Sequence, residues 1–186
     1  AIVQDRSGYM WFGTADGLNR YDGYGFTVFR ANAKDSMSIG NGRIVALAVD
    51  SSNTLWIGTD DGLFSRNPRS GRFTRHSTRF DSRIPEYRDG ISAIHIDNSG
   101  NVWIATHGTG LHRYSPAART WRQYKHIPGD GNSIGSNDVH AITPYGSSHL
   151  WLSSHGAGMD LFDINNGTSK TIRPVLKSGP DSLVTC

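Results

Sequence analysis

Two short phrases hold the residue types that chemistry would use: Thr106-His107-Gly108-Thr109-Gly110 and Ser154-His155-Gly156-Ala157-Gly158. Each sets an imidazole after a hydroxyl-bearing residue and before a glycine. An imidazole titrates near neutral pH, so it can hydrogen-bond a ligand or move a proton. In a glycine-rich turn it can equally bond a nearby carbonyl and do nothing more. His107, Gly108, His155 and Gly156 are therefore the candidate ligand-binding residues. Tyr87 and Arg88 join them, with Arg79 and Arg83 close by, because guanidinium groups suit an acidic sugar or another anion. Two histidines alone make a poor metal site and the sequence shows no third ligand, so no metal is expected. With no acid–base pair at fixed spacing and no phosphate-binding loop, no catalytic residue and no cofactor is assigned.

The two histidines occupy matching places because the chain repeats. Trp11, Trp56, Trp103 and Trp151 follow one another at separations of 45, 47 and 48 residues. Each sits in the same phrase: Met10-Trp11-Phe12-Gly13-Thr14, Leu55-Trp56-Ile57-Gly58-Thr59, Val102-Trp103-Ile104-Ala105-Thr106 and Leu150-Trp151-Leu152-Ser153-Ser154. Self-similarity at such a period marks a repeat architecture. In the second copy, Ile44 to Val49 is an apolar run that reads as a strand covered on both faces. Asp50-Ser51-Ser52-Asn53 reads as a turn, Leu55 to Thr59 as a second strand and Asp60-Asp61-Gly62 as a hairpin turn. Strands starting at Leu63 and Phe73 complete the unit.

Four short antiparallel strands per repeat make the blade of a β-propeller. The predicted fold is all-β, with about four blades near residues 1–30, 43–77, 90–125 and 138–174, and the start of a further repeat at 175–186. Both ends fall mid-repeat, so the expectation is a piece of a larger propeller. Its open blade faces would then favour self-association. The four repeat tryptophans are assigned to the core between sheets, and the small residue two places on (Gly13, Gly58) to close approach of a neighbouring backbone. Arg66, Arg69, Arg72 and Arg75 are read as a charged outer edge that discourages sheet pairing. Trp121, outside the repeat register, is expected to pack against a neighbouring strand. Long connections, including 31–42, 77–90 and 125–137, share one end of the strands with the His-Gly turns, and that loop-rich end is the expected binding face.

Bulk properties exclude little. Nineteen Lys and Arg against sixteen Asp and Glu leave a net charge of +3, too mild to argue for nucleic acid. No apolar run approaches the ~20 residues that span a bilayer, so a membrane would be reached only through regions outside these residues. The lone cysteine, Cys186, permits no internal disulfide.

The stretch from Gln4 to Gly23 and that from Asp50 to Leu63 resemble the two-component regulator propeller repeat: an Asp turn, an apolar-Trp-apolar-Gly-Thr strand and a Gly-Leu. The fourth copy departs, with Thr143-Pro144-Tyr145-Gly146 for the Asp turn and Ser153-Ser154 for Gly-Thr. The resemblance implies a seven-bladed propeller in the periplasmic sensor region of a hybrid two-component or diguanylate cyclase protein. It implies a small-molecule or glycan signal, and no catalysis by the propeller itself. A weaker resemblance to the streptogramin-lyase propeller implies instead a histidine-assisted elimination. A plain protein-binding scaffold is the third reading.

Overall fold

The structure, a computed structural model, describes residues 1–32, 38–39, 43–60, 62–76 and 90–172. Among them are sixteen strands and no helix. The first sheet holds β1 (Ile2–Gln4), β2 (Met10–Thr14), β3 (Gly17–Tyr21) and β4 (Phe26–Phe29). The second holds β5 (Ile44–Val49), β6 (Leu55–Thr59), β7 (Gly62–Arg66) and β8 (Phe73–His76). The third holds β9 (Ile91–Ile96), β10 (Val102–Thr106), β11 (Leu111–Ser115) and β12 (Thr120–Tyr124). The fourth holds β13 (Val139–Tyr145), β14 (His149–Ser154), β15 (Gly158–Asp163) and β16 (Thr168–Ile172). In every sheet the strands pair antiparallel in chain order. These are propeller blades.

The repeat's Asp and Trp belong together. Asp5, Asp50 and Asp97 each close the turn before the Trp strand. One carboxylate oxygen accepts the backbone N–H groups two and four residues on, at 2.9 to 3.1 Å. The other accepts the indole N–H six residues on: Trp11 at 2.8 Å, Trp56 at 3.0 Å and Trp103 at 2.9 Å. A buried indole N–H needs an acceptor, and the turn supplies one without leaving the blade. At Asp97 burial works to raise the carboxyl, but hydrogen bonds from the Asn101 side chain, the Trp103 indole and the Asn101 and Ser99 backbone outweigh it and hold the group below its ordinary value.

Each tryptophan then packs against the next sheet. Trp11 and Leu18 meet Ile44, Leu55 and Ile57. Trp56 and Leu63 meet Ile91 and Ile104. Trp103 and Leu111 meet Val139, Leu152 and Phe162. Trp151 departs from the expectation: it is only half-buried. Its copy lacks the Asp turn, and among the described residues no further sheet covers it. Its ring neighbour is Tyr145, at 5.9 Å.

Three other expectations change. The small residue two places after the tryptophan makes room for a side chain, not a backbone: a Cβ at Gly58 would lie 2.7 Å from Cγ2 of Ile91. The strand Ile44–Val49 is not covered on both faces; only Ile44 and Ala46 are buried, because β5 is an edge of its sheet. The fully covered strands are the second ones, β6 and β10. Finally, Arg66 is no outward charge. Its guanidinium lies 5.0 Å from the Trp11 ring and 5.5 Å from the Phe29 ring, wedged between the first two blades. Trp121 packs on Tyr114 of the adjacent strand, with ring centroids 4.6 Å apart.

The connections before the second and fourth sheets share one fastening. Ser38 Oγ accepts Asn32 N–H and donates to the Asn32 carbonyl, at 3.1 and 3.0 Å. Ser133 Oγ does the same with Ile127, at 3.0 and 3.3 Å. The next residue, Ile39 or Ile134, is driven into the core and is 1% exposed. Burying one isoleucine contributes about 1.5–3 kcal/mol, which ties each loop to the scaffold beneath it.

Candidate functional site

His107 sits in the turn between β10 and β11, and His155 in the equivalent turn between β14 and β15. Gly108 at φ 103° and Gly156 at φ 75° take the left-handed backbone that lets these turns close. Both histidines are exposed. Tyr87 and Arg88, with Arg79 and Arg83, lie outside the described residues.

The two candidate histidines do not meet directly. Between them stand two residues that the sequence reading missed, Asp138 and His140, at the start of β13. Nδ1 of His107 is 3.0 Å from Oδ1 of Asp138, and Nε2 of His140 is 3.3 Å from the same oxygen. The His107 and His140 rings cross nearly edge to face, with centroids 5.1 Å apart and an 82° angle. The His155 ring lies beyond His140 at 6.1 Å, roughly parallel to it. The sequence offered two histidines and no third ligand; the structure sets Asp138 and His140 beside the first of them.

The backbone fixes this arrangement. His107 forms a bridge with Asp138, so the turn of the third blade is joined to the first strand of the fourth. Gly108 and Gly110 donate to the Asn137 carbonyl at 3.1 and 2.8 Å, and His155 donates to the Asp138 carbonyl at 3.1 Å. His140 is the extra residue of a β-bulge: Val139 pairs with Ser154, and Ala141 with the next residue, Ser153. Bulges re-aim a side chain at sheet edges. The second and third blades carry the same register shift. The extra residue there is Val45 or Ser92, and Arg43 or Gly90 stands where the fourth blade has Asp138. Asp138 and His140 stand 13 and 11 residues before Trp151, as Arg43 and Val45 stand before Trp56, so comparing the copies at these two positions brings them out.

The group is accessible. The side chains of His107, His140 and Asp138 are 48%, 46% and 37% exposed. At Asp138 partial burial works to raise the carboxyl. Hydrogen bonds from His107 and His140, and the electrostatic attraction of those rings, outweigh it and hold the group below the usual carboxylate range. A carboxylate kept ionised between two imidazoles can accept two N–H donors, orient both rings and present their free nitrogens to a ligand.

Comparison with known proteins bears on the scaffold. Residues 38–61 match the two-component regulator propeller. Over 38 residues the chain is 53% identical to histidine kinase P4 of Formosa agariphila, a match covering 20% of this chain and 3% of that protein. The fold superposes on the extracellular domain assigned to the hybrid two-component system BT3049 of B. thetaiotaomicron. The TM-score is 0.77 at 21% identity, over 92% of this chain and 24% of that one. It also superposes on virginiamycin B lyase from Staphylococcus aureus, with a TM-score of 0.68 at 18% identity, over 94% of this chain and 56% of the lyase. The chain thus spans under a third of the two-component relatives it matches. At these identities the superpositions establish the fold alone, and the sequence match supplies the repeat. The chain carries the two-component regulator propeller repeat on a β-propeller fold.

Proposed function

We propose that this chain is the ligand-sensing part of an extracytoplasmic, periplasmic sensor of the two-component type, and is not itself catalytic. The observation that carries the reading is the two-component regulator propeller repeat, lying in blades whose loop-rich end gathers His107, Asp138, His140 and His155 on a fixed backbone. Binding residues gather on loops held by a rigid scaffold. A half-exposed row of imidazoles and one carboxylate suits hydroxyl and carboxylate groups, so a glycan or small polar molecule is the signal this face would take. Histidine kinase P4 and the BT3049 extracellular domain support the same reading, since both belong to signalling proteins.

The test is a thermal-shift screen of the purified protein against neutral and acidic oligosaccharides, followed by calorimetry of the hits. The double variant His107→Ala/His155→Ala should weaken binding at least tenfold. Unchanged affinity in the double variant removes the site from this face.

The likeness to virginiamycin B lyase, together with exposed histidines, favours a second reading as a propeller lyase. Incubation with quinupristin, the ligand bound in one structure of that lyase, decides it: conversion to a product of different chromatographic retention and tandem mass-spectrometric fragmentation establishes the lyase, and unchanged quinupristin after long incubation eliminates it.

A further inference from the structure

We propose that His107, Asp138 and His140 form a binding site for a borderline divalent transition-metal cation, with Zn²⁺ the ion they suit best. The three ligand atoms lie within 4.8 Å of one another. Zinc holds imidazole nitrogen at ~2.0–2.1 Å and carboxylate oxygen at ~2.0–2.2 Å, so the edge of a tetrahedral zinc site is roughly 3.3 Å. The two imidazole nitrogens already stand 3.0 and 3.3 Å from the same carboxylate oxygen. The nearly perpendicular rings aim those nitrogens at that oxygen from different directions, which is the geometry converging ligands need. The ion would take the place of the N–H protons that these nitrogens share with Asp138. Each neutral ring keeps its proton on the other nitrogen, any second proton passes to solvent, and modest side-chain rotation would admit the ion.

The donor set suits such an ion. Two imidazoles and one carboxylate favour zinc and its neighbours over calcium or magnesium, which prefer oxygen ligands throughout. Three protein ligands with solvent on the remaining side leave a coordination position open. The ligands are also held in place. His107 and Asp138 are joined by a backbone bridge, His140 rides on a bulge, and the Asp138 carbonyl is held by the His155 N–H. Pre-set ligands lose less freedom when an ion binds. His155, one ring further out, borders the open side and is not a required ligand. Among the described residues this is the cluster that can gather such a set. The proposal goes beyond the sensing reading and does not depend on it.

The experiment uses the purified protein, stripped with chelator and titrated with Zn²⁺ alone by calorimetry, then with Co²⁺ read by its visible absorption. One ion per chain is expected, with a rise in melting temperature that chelator reverses. Asp138→Asn and His140→Ala should each weaken Zn²⁺ binding at least tenfold, whereas His149→Ala should not. His140→Asn keeps a side chain able to hydrogen-bond Asp138. If it folds normally yet loses Zn²⁺, the imidazole acts as a ligand and not merely as a brace. Absence of one-to-one Zn²⁺ binding, or binding unchanged in Asp138→Asn and His140→Ala, overturns the proposal. Because no glycan is present, a failed sugar screen leaves this result standing, and a failed metal titration leaves the sugar test standing.

Discussion

Replacing Gly58 with alanine tests the way these blades nest. A Cβ at position 58 would lie 2.7 Å from Cγ2 of Ile91, 3.2 Å from Cβ of Ile91 and 3.2 Å from Cβ of Ala46. Comfortable carbon–carbon contact begins at ~3.5–4.0 Å, so Ile91 must retreat by about 1 Å. It has little room to do so, being 1% exposed and packed in a cluster with Trp56, Leu63 and Ile104. Forcing one extra methyl into such a site costs about 1–3 kcal/mol. The φ of Gly58 is not in the left-handed region, so alanine is conformationally allowed. The stiffer unfolded chain returns about 0.4–1 kcal/mol. The net loss is then about 0–2.6 kcal/mol, which for a chain of this size lowers Tm by up to roughly 10 °C. Against a glycine-to-alanine control that gains the same chain stiffening without a clash, the deficit is the full ~1–3 kcal/mol. Urea and thermal unfolding followed by tryptophan fluorescence would read it. Gly25→Ala is the control, since a Cβ there meets nothing within 4 Å. Ile91→Ala alone should cost about 2–5 kcal/mol. Combined with Gly58→Ala it should cost less than the two singles summed, because the clash is gone. A Gly58→Ala protein as stable as the Gly25→Ala control would refute this account of blade contact.

Two further outcomes follow from the same geometry. Asp97→Ala strips the acceptor from the fully buried Trp103 indole, together with three other hydrogen bonds. It should cost at least ~1–3 kcal/mol in chemical denaturation, and Asp97→Asn, which keeps one oxygen, should cost less. Burial pushes the His112 imidazole down to about 3, with repulsion from Lys125 adding and a Thr109 hydrogen bond opposing. Below about pH 6.5 the unfolded chain takes up that proton and the folded one does not, so stability falls with acid at up to ~1.4 kcal/mol per pH unit until about pH 3. The urea midpoint measured from pH 8 to 4 should therefore drop on the acid side, and more shallowly in His112→Met. Some slope will persist, because burial also lowers His76 and His95.

Much of the scaffold was legible because repetition multiplies a weak signal. One Asp turn before one apolar-Trp strand is an ambiguous phrase; three copies at nearly constant spacing define a unit that must stack to bury its faces. Strands such as Phe73–His76 and Val102–Thr106 followed from the turn residues that bound them within a single copy. The site was only half legible. His107 and His155 stand out because their turns are one residue longer than those of the first two copies. Asp138 and His140 do not, since an Asp and a His beside an apolar strand look like ordinary surface residues until the strand has a neighbour.

What the sequence determined by itself is therefore local: the Asp–Trp pairing six residues apart, the glycine turns and the four-strand unit all depend on contacts within about thirty residues. What the tertiary structure decided is everything that crosses from one blade to the next. That includes the seat of Arg66 on Trp11, the fit of Ile91 over Gly58 and the meeting of His107 with Asp138 and His140. These contacts join residues about thirty to fifty-five positions apart. Their geometry depends on how one twisted sheet settles on another, which no single copy encodes.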